Sequence, residues 1–236
     1  MKYILLFAFA IITITSCQKK TENTTSQLRI DINYKVDDVP LFKDTMRYLN
    51  NAGDFYSVTR LEYYISDIVL HNANGDDYKS EQIQYVNAFT QATNQLVLDA
   101  VPNGTYTSFS CKIGLTAAKN LSNTLPNTSE NVNMAWPDMM GGGYHFLKLE
   151  GHIATAAGDM GYAMHLGTDV GLVNCSVNKD IVISREIPNY LLTMNINEWY
   201  RSPNLYSIYF DGNHTMSSPA LMTKIAANGY NIFTIE

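Results

Sequence analysis

Leu28-Arg-Ile-Asp-Ile-Asn-Tyr-Lys-Val36 alternates apolar and polar residues without a break. A period of two puts Leu28, Ile30, Ile32, Tyr34 and Val36 on one face, with Arg29, Asp31, Asn33 and Lys35 on the other. That is the pattern of a half-buried strand. The same habit recurs along the chain. Residues 60–70 (RLEYYISDIVL) read as a long strand, and Asn74-Gly75 beyond it supplies residues that tolerate the positive φ of a hairpin turn. Residues 82–86 read as the return strand and 95–98 as a short one. Val101-Pro-Asn-Gly-Thr-Tyr106 is a turn that launches a strand over 106–115. After a long polar stretch, residues 144–150 and 160–166 are expected to pair as a hairpin. Strands over 181–185, 191–196 and 205–210 complete the set, while 37–56 suit a short helix or an irregular loop. Ser218 as N-cap and Pro219 at the first helical position open a short closing helix, with Leu221, Met222, Ile225 and Ala226 as its apolar stripe. Many short strands, polar turns and almost no helix predict an all-β fold, a single antiparallel β-sandwich with a short C-terminal helix.

The chain has 236 residues, 46% hydrophobic and 16% charged, which suits one large all-β domain. A net charge of −6 without basic runs argues against nucleic acid or an anionic membrane surface as partner. No segment after residue 16 has the roughly 18 apolar residues of a membrane-spanning helix. The first residues read as a targeting segment: Lys2 is the positive start, residues 3–14 the apolar core, and Ile14-Thr-Ser-Cys17 resembles a bacterial lipobox. Residues 1–17 are then a lipoprotein signal peptide with Cys17 lipidated, 18–27 a polar tether, and 28–236 the folded domain. Gln18 is not the aspartate of an inner-membrane retention signal, so the expected location is the cell envelope, on the outer membrane. Several acyl chains on one cysteine anchor stably, each buried CH₂ contributing about 0.8 kcal/mol. Cys111 and Cys175 remain, each on the apolar parity of a strand, in a compartment where disulfides persist. One disulfide and two separate buried thiols both fit that pattern.

Chemistry concentrates in Met134-Ala-Trp-Pro-Asp-Met-Met-Gly-Gly-Gly-Tyr-His-Phe-Leu-Lys-Leu-Glu-Gly-His152. Imidazoles suit copper, zinc and nickel, and thioethers suit Cu(I). The methionines Met134, Met139 and Met140 lie among Asn, Ser, Asp, Pro and Gly rather than in an apolar run, which weakens the reading of them as core filler. Gly141-Gly142-Gly143 lacks the strand before and helix after that a phosphate loop needs. It suits a sharp turn or a close backbone approach. No Ser-His-Asp or Cys-His constellation is evident, so no catalytic role is expected.

Four motifs in order, Leu61-Glu-Tyr-Tyr-Ile-Ser-Asp67, Val101-Pro-Asn-Gly-Thr-Tyr106, Gly143-Tyr-His-Phe-Leu-Lys-Leu-Glu-Gly151 and Met164-His-Leu-Gly167, resemble the MbnP family of periplasmic or outer-membrane copper-binding proteins. The resemblance implies a β-sandwich that binds copper through histidines, in some members together with a kynurenine made from tryptophan. It also implies a MauG-like di-haem partner that makes it. The family's usual Trp-x-Trp pair before Gly-Tyr is replaced here by Trp136-Pro-Asp-Met-Met-Gly-Gly-Gly. Counted back from Tyr144 without a gap, neither tryptophan of the pair falls on Trp136, so the resemblance carries histidine ligation further than kynurenine. The expected metal ligands are His145, His152, His165 and Met134. His165 leads because it sits in the family's His-Leu-Gly; His152 is seven residues beyond His145 and needs a bulge to share its face. His214 and Met216 form a weaker His-x-Met pair, and His71 is expected to be solvated at a turn. Two other functions fit the same sequence: a zinc site on the same histidines, and a lipoprotein module that binds a glycan or protein through its tyrosines.

Overall fold

The structure is a computed structural model that describes residues 24–184 and 189–236; the lipobox-like segment with Cys17 lies outside them. In chain order the strands are β1 (Thr25–Val36), β2 (Val39–Pro40), β3 (Tyr48–Leu49), β4 (Phe55–Asn72), β5 (Tyr78–Ser80), β6 (Gln84–Asn87) and β7 (Gln95–Pro102). They continue as β8 (Gly104–Ile113), β9 (His145–Thr155), β10 (Gly158–Gly167), β11 (Val173–Ile183), β12 (Asn189–Asn195) and β13 (Phe233–Ile235). One sheet runs β13-β12-β1-β2, with β7 also on β1; the other runs β10-β9-β4-β8-β11, with β3, β5 and β6 also on β4.

The two sheets close over one apolar core, as the alternating strands predict. Every apolar residue of the opening stretch, from Leu28 to Val36, is buried. Tyr34 and Tyr63 join hydroxyls across the core at 3.0 Å, so each buried phenol keeps a partner. Among the described residues the strand pairs are antiparallel except β1 with β12, which run parallel. A parallel pair needs a long crossover, and here almost the whole domain supplies it. The closing helix forms as read, α2 (Pro219–Asn228), with the Ser218 hydroxyl accepting from the Leu221 N–H. A first helix, α1 (Ser129–Asn133), interrupts the long polar stretch.

Two expectations are corrected and a third is narrowed. The tether was expected to run to residue 27, but Thr25 and Ser26 already pair with Pro102 and Val101 in the sheet. Residues 37–56, read as a short helix or an irregular loop, form no helix: they are an irregular segment that holds β2 and β3 and runs into β4. Residues 205–210 are turns, not a strand. There the Asp54 carboxylate accepts from the N–H groups of Ile208 (2.6 Å) and Tyr209 (3.3 Å) and from the Ser207 hydroxyl (3.1 Å). A buried carboxylate collecting local donors curls the chain around itself, and the apolar alternation of Tyr206 and Ile208 merely fills the core beneath.

β4 decides where a site can form. Its residues 61–66 are buried on both faces. Leu61, Tyr63 and Ile65 face the core, while Glu62, Tyr64 and Ser66 lie on the opposite face. The long loop of residues 116–143 covers that second face: Tyr64 donates to the Asn131 side chain at 2.7 Å and meets Tyr144 edge-on. Glu62 and Ser66 of β4 and His145 and Lys148 of β9 are buried there.

Candidate metal site

The β9–β10 hairpin places Lys148 opposite His165 and Glu62 opposite Lys148. His165 therefore shares the loop-covered face with Glu62, Lys148 and Glu150. His145 has the wrong parity for that face in a regular ladder. A register shift between Leu166 and Gly167 corrects this: Gly167 pairs with His145 rather than with residue 146. Bulges re-aim side chains in this way. The two imidazoles meet edge to face with centroids 5.0 Å apart, and His145 is buried.

Each ring is held by one nitrogen. His145 Nδ1 lies 3.1 Å from the Met134 carbonyl oxygen, which can only accept, so Nδ1 carries the proton. Burial, with Lys148 and His165 nearby, depresses the pKa of His145 to about 3, which keeps the imidazole neutral and leaves Nε2 as a lone pair. His165 Nε2 lies 2.8 Å from Glu150 Oε1, so Nε2 donates and Nδ1 is the nitrogen outside that bond. Glu150 is held in turn by Arg60 at 3.3 Å, and the His165 hydrogen bond is the leading cause that lowers its pKa. Thr215 grips the His165 backbone on both sides, accepting from its N–H at 2.8 Å and donating to its carbonyl at 2.6 Å. Lys148 donates to the Asn133 carbonyl, and its pKa is lowered by burial.

Trp136 completes the cluster. Its ring centroid is 4.7 Å from that of His145, and its indole N–H donates to the Met140 carbonyl at 3.2 Å. It reaches this place because the chain pinches together at its base: Ala135 bridges Tyr144, and the Trp136 N–H donates to the Gly143 carbonyl at 2.9 Å. Residues 137–142 are looped out. Gly141, Gly142 and Gly143 all have φ between 70° and 107°, as the returning turn requires. Gly167 leaves room for the indole, since a Cβ there would lie 2.5 Å from Trp136 Cε3.

Of the four expected ligands, the structure brings His145 and His165 together. His152 does not join them. It is exposed, opposite Gly161, four rungs from His165 along the same face, or about 13 Å at strand rise. Its neighbours are Asp44, Met46, Ser57 and Asp159. Met134 does reach the site, but what it gives His145 is its carbonyl oxygen; its side chain is fully buried in the core. Met139 is exposed, and Met140 contributes a carbonyl. His214 is exposed beside Thr215. His71, expected to be solvated, is tied to Asp77 at 3.0 Å and Ser110 at 2.7 Å. Sequence reasoning missed Glu150 and Thr215. Glu150 was legible in principle, since antiparallel pairing sets residues two apart on β9 beside each β10 residue. Among the described residues no three His, Cys, Asp or Glu side chains converge as a metal cluster. The site offers two imidazoles, each with one nitrogen outside the hydrogen bonds that hold it.

The chain matches the family model MbnP over residues 25–218. It belongs to the MbnP family. Among solved structures, MbnP from Methylosinus trichosporium superposes with a TM-score of 0.60 at 12% identity, covering 90% of this chain and 98% of that one. At that identity the likeness establishes a shared fold. No curated protein matches the chain. The MbnP match begins where β1 begins, at residue 25, and spans the hairpin, the looped-out segment and Thr215.

Proposed function

We propose that this MbnP-family protein is a lipid-anchored copper-binding protein of the bacterial cell envelope that holds copper between His145 Nε2 and His165 Nδ1. The observation that carries the reading is the pairing of two pre-oriented imidazoles at 5.0 Å. An ion about 2 Å from a ring nitrogen lies about 3 Å from that ring's centroid, so one ion reaches both rings. Copper supplies affinity for imidazole with few ligands; zinc prefers about three or four protein ligands. The residues present therefore fit copper better than zinc.

The side chains around the pair have separate tasks. Glu150 fixes the ring of His165 and its tautomer, as outer carboxylates do for metal-bound histidines. The Met134 carbonyl does the same for His145. Trp136 covers the pair and excludes water. Of the two tryptophans it is the one beside the imidazole pair, and so the one for a MauG-like di-haem partner to oxidise; Trp199 packs by Gly229 instead. The role is binding and delivery of copper rather than catalysis.

The test is titration of the mature chain with Cu(I) against a competing chelator. His145→Ala and His165→Ala are each expected to weaken binding at least about 100-fold. Undiminished Cu(I) affinity in both variants would contradict the proposal. Binding that favours Zn²⁺ would replace it with the zinc reading.

A further inference from the structure

Cys111 lies on β8 and Cys175 on β11, the edge strand of the larger sheet. The register sets them directly opposite each other, Cys175 against Cys111. Both are buried, and they are free thiols in this structure. Directly opposed residues of an antiparallel pair have Cα atoms about 4.5–5.5 Å apart. A disulfide spans roughly 4.4–6.8 Å between Cα atoms. The side chains also interact: the facing Cys111 thiol is the leading cause that raises the pKa of Cys175. Adjacent strands thus set the two cysteines directly opposite each other on one side of the sheet, a placement whose usual spacing lies within a disulfide's span.

We propose that Cys111 and Cys175 form a cross-strand disulfide that covalently closes the segment carrying the copper site. Met134, Trp136, His145 and His165 all lie between the two cysteines in sequence. The bond staples the edge strand β11 to β8 and ties off both ends of that segment. Bond formation gives up only a weak contact, the Cys175 thiol to the Gly229 carbonyl at 3.4 Å. Buried thiols are poor nucleophiles, so the bond forms while β11 is still undocked. The thiolate of one cysteine attacks a small organic disulfide such as oxidised glutathione and displaces one thiol. The thiolate of the other then attacks the mixed disulfide and displaces the second. The two electrons and two protons leave on the two released thiols.

The test does not depend on copper binding or on cellular location. The mature chain is unfolded, refolded in oxidised glutathione, alkylated in denaturant without reductant and cut with trypsin. Cleavage after lysine and arginine puts Cys111 in the peptide 80–112 and Cys175 in 149–179. The expected result is a single linked species of those two peptides, and a melting temperature that falls by roughly 10 °C with reductant. A Cys111→Ala/Cys175→Ala variant should melt at the reduced temperature and ignore reductant. Recovery of both peptides separately alkylated, with melting unaffected by reductant, would overturn the inference whatever the variant does.

Discussion

The two ends of the β9–β10 hairpin carry similar residues on the same face of the same strands, yet of these two ends one alone brings two imidazoles together under cover. At the Thr155–Gly158 end, His152 and Asp159 stand on an open ladder and face solvent. At the other end, a one-residue register shift turns His145 onto His165. A loop of more than twenty residues seals the pair, with Trp136 as the plug. The difference lies in the cover and the bulge, not in the supply of imidazoles. An exposed histidine without a fixed partner samples several rotamers. A covered one with one nitrogen tied to a carbonyl or carboxylate presents the other in a fixed direction.

The comparison is broken most severely by exchanging what each end can lose. His145→Ala or His165→Ala should abolish tight copper binding, whereas His152→Ala should change affinity by less than about threefold, as for a surface substitution. Isothermal or competition titration reads both. Tight binding that disappears with His152 would move the site to the open end.

Backbone packing offers a second contrast within the hairpin. A Cβ at Gly151 would lie 1.9 Å from the Ser57 carbonyl oxygen, which cannot move without breaking the β4–β9 ladder; at Gly161 the nearest atom is 4.0 Å away. Gly151→Ala should therefore cost about 3 kcal/mol or more of stability by denaturant unfolding, and Gly161→Ala less than about 1 kcal/mol. Equal losses would mean the ladder is looser than the register implies.

Smaller effects sharpen the same contrast. Glu150→Gln keeps the shape but weakens the hold on His165, and should lower copper affinity about tenfold while leaving unfolding stability within about 1 kcal/mol. Gly167→Ala pushes a Cβ to within 2.5 Å of the indole. It should unseat Trp136, red-shift its fluorescence and weaken binding severalfold, without touching either imidazole. An unchanged emission spectrum would show that Trp136 is not the cover.

Much of this was readable from the chain. Strand existence followed from alternation at Leu28 to Val36 and in residues 60–70, because burial of one face is a local, period-two demand. The closing helix followed from Ser218 and Pro219. What escaped were the effects of non-local partners. Whether Tyr206 and Ile208 belong to a strand depends on Asp54, some 150 residues away in sequence. The parallel pairing of β1 with β12 has no local sign. At the candidate site, His165 was singled out by the His-Leu-Gly motif, but the face of His145 was hidden in the register shift beside Gly167. His152 was misjudged because residue spacing says nothing about where a loop lies down. The place of Trp136 was hidden for the same kind of reason: residues 137–142 bulge away, so Ala135 and Tyr144, nine apart along the chain, become neighbours in space.

The most direct measurement is nitrogen NMR of histidine-labelled protein titrated with Cu(I), which is diamagnetic and leaves all five imidazoles visible. Binding between the covered pair predicts that Nε2 of His145 and Nδ1 of His165 shift together and saturate at one equivalent, while the ring nitrogens of His71, His152 and His214 stay where they were. Shifts at His152, or silence at the covered pair, would contradict it.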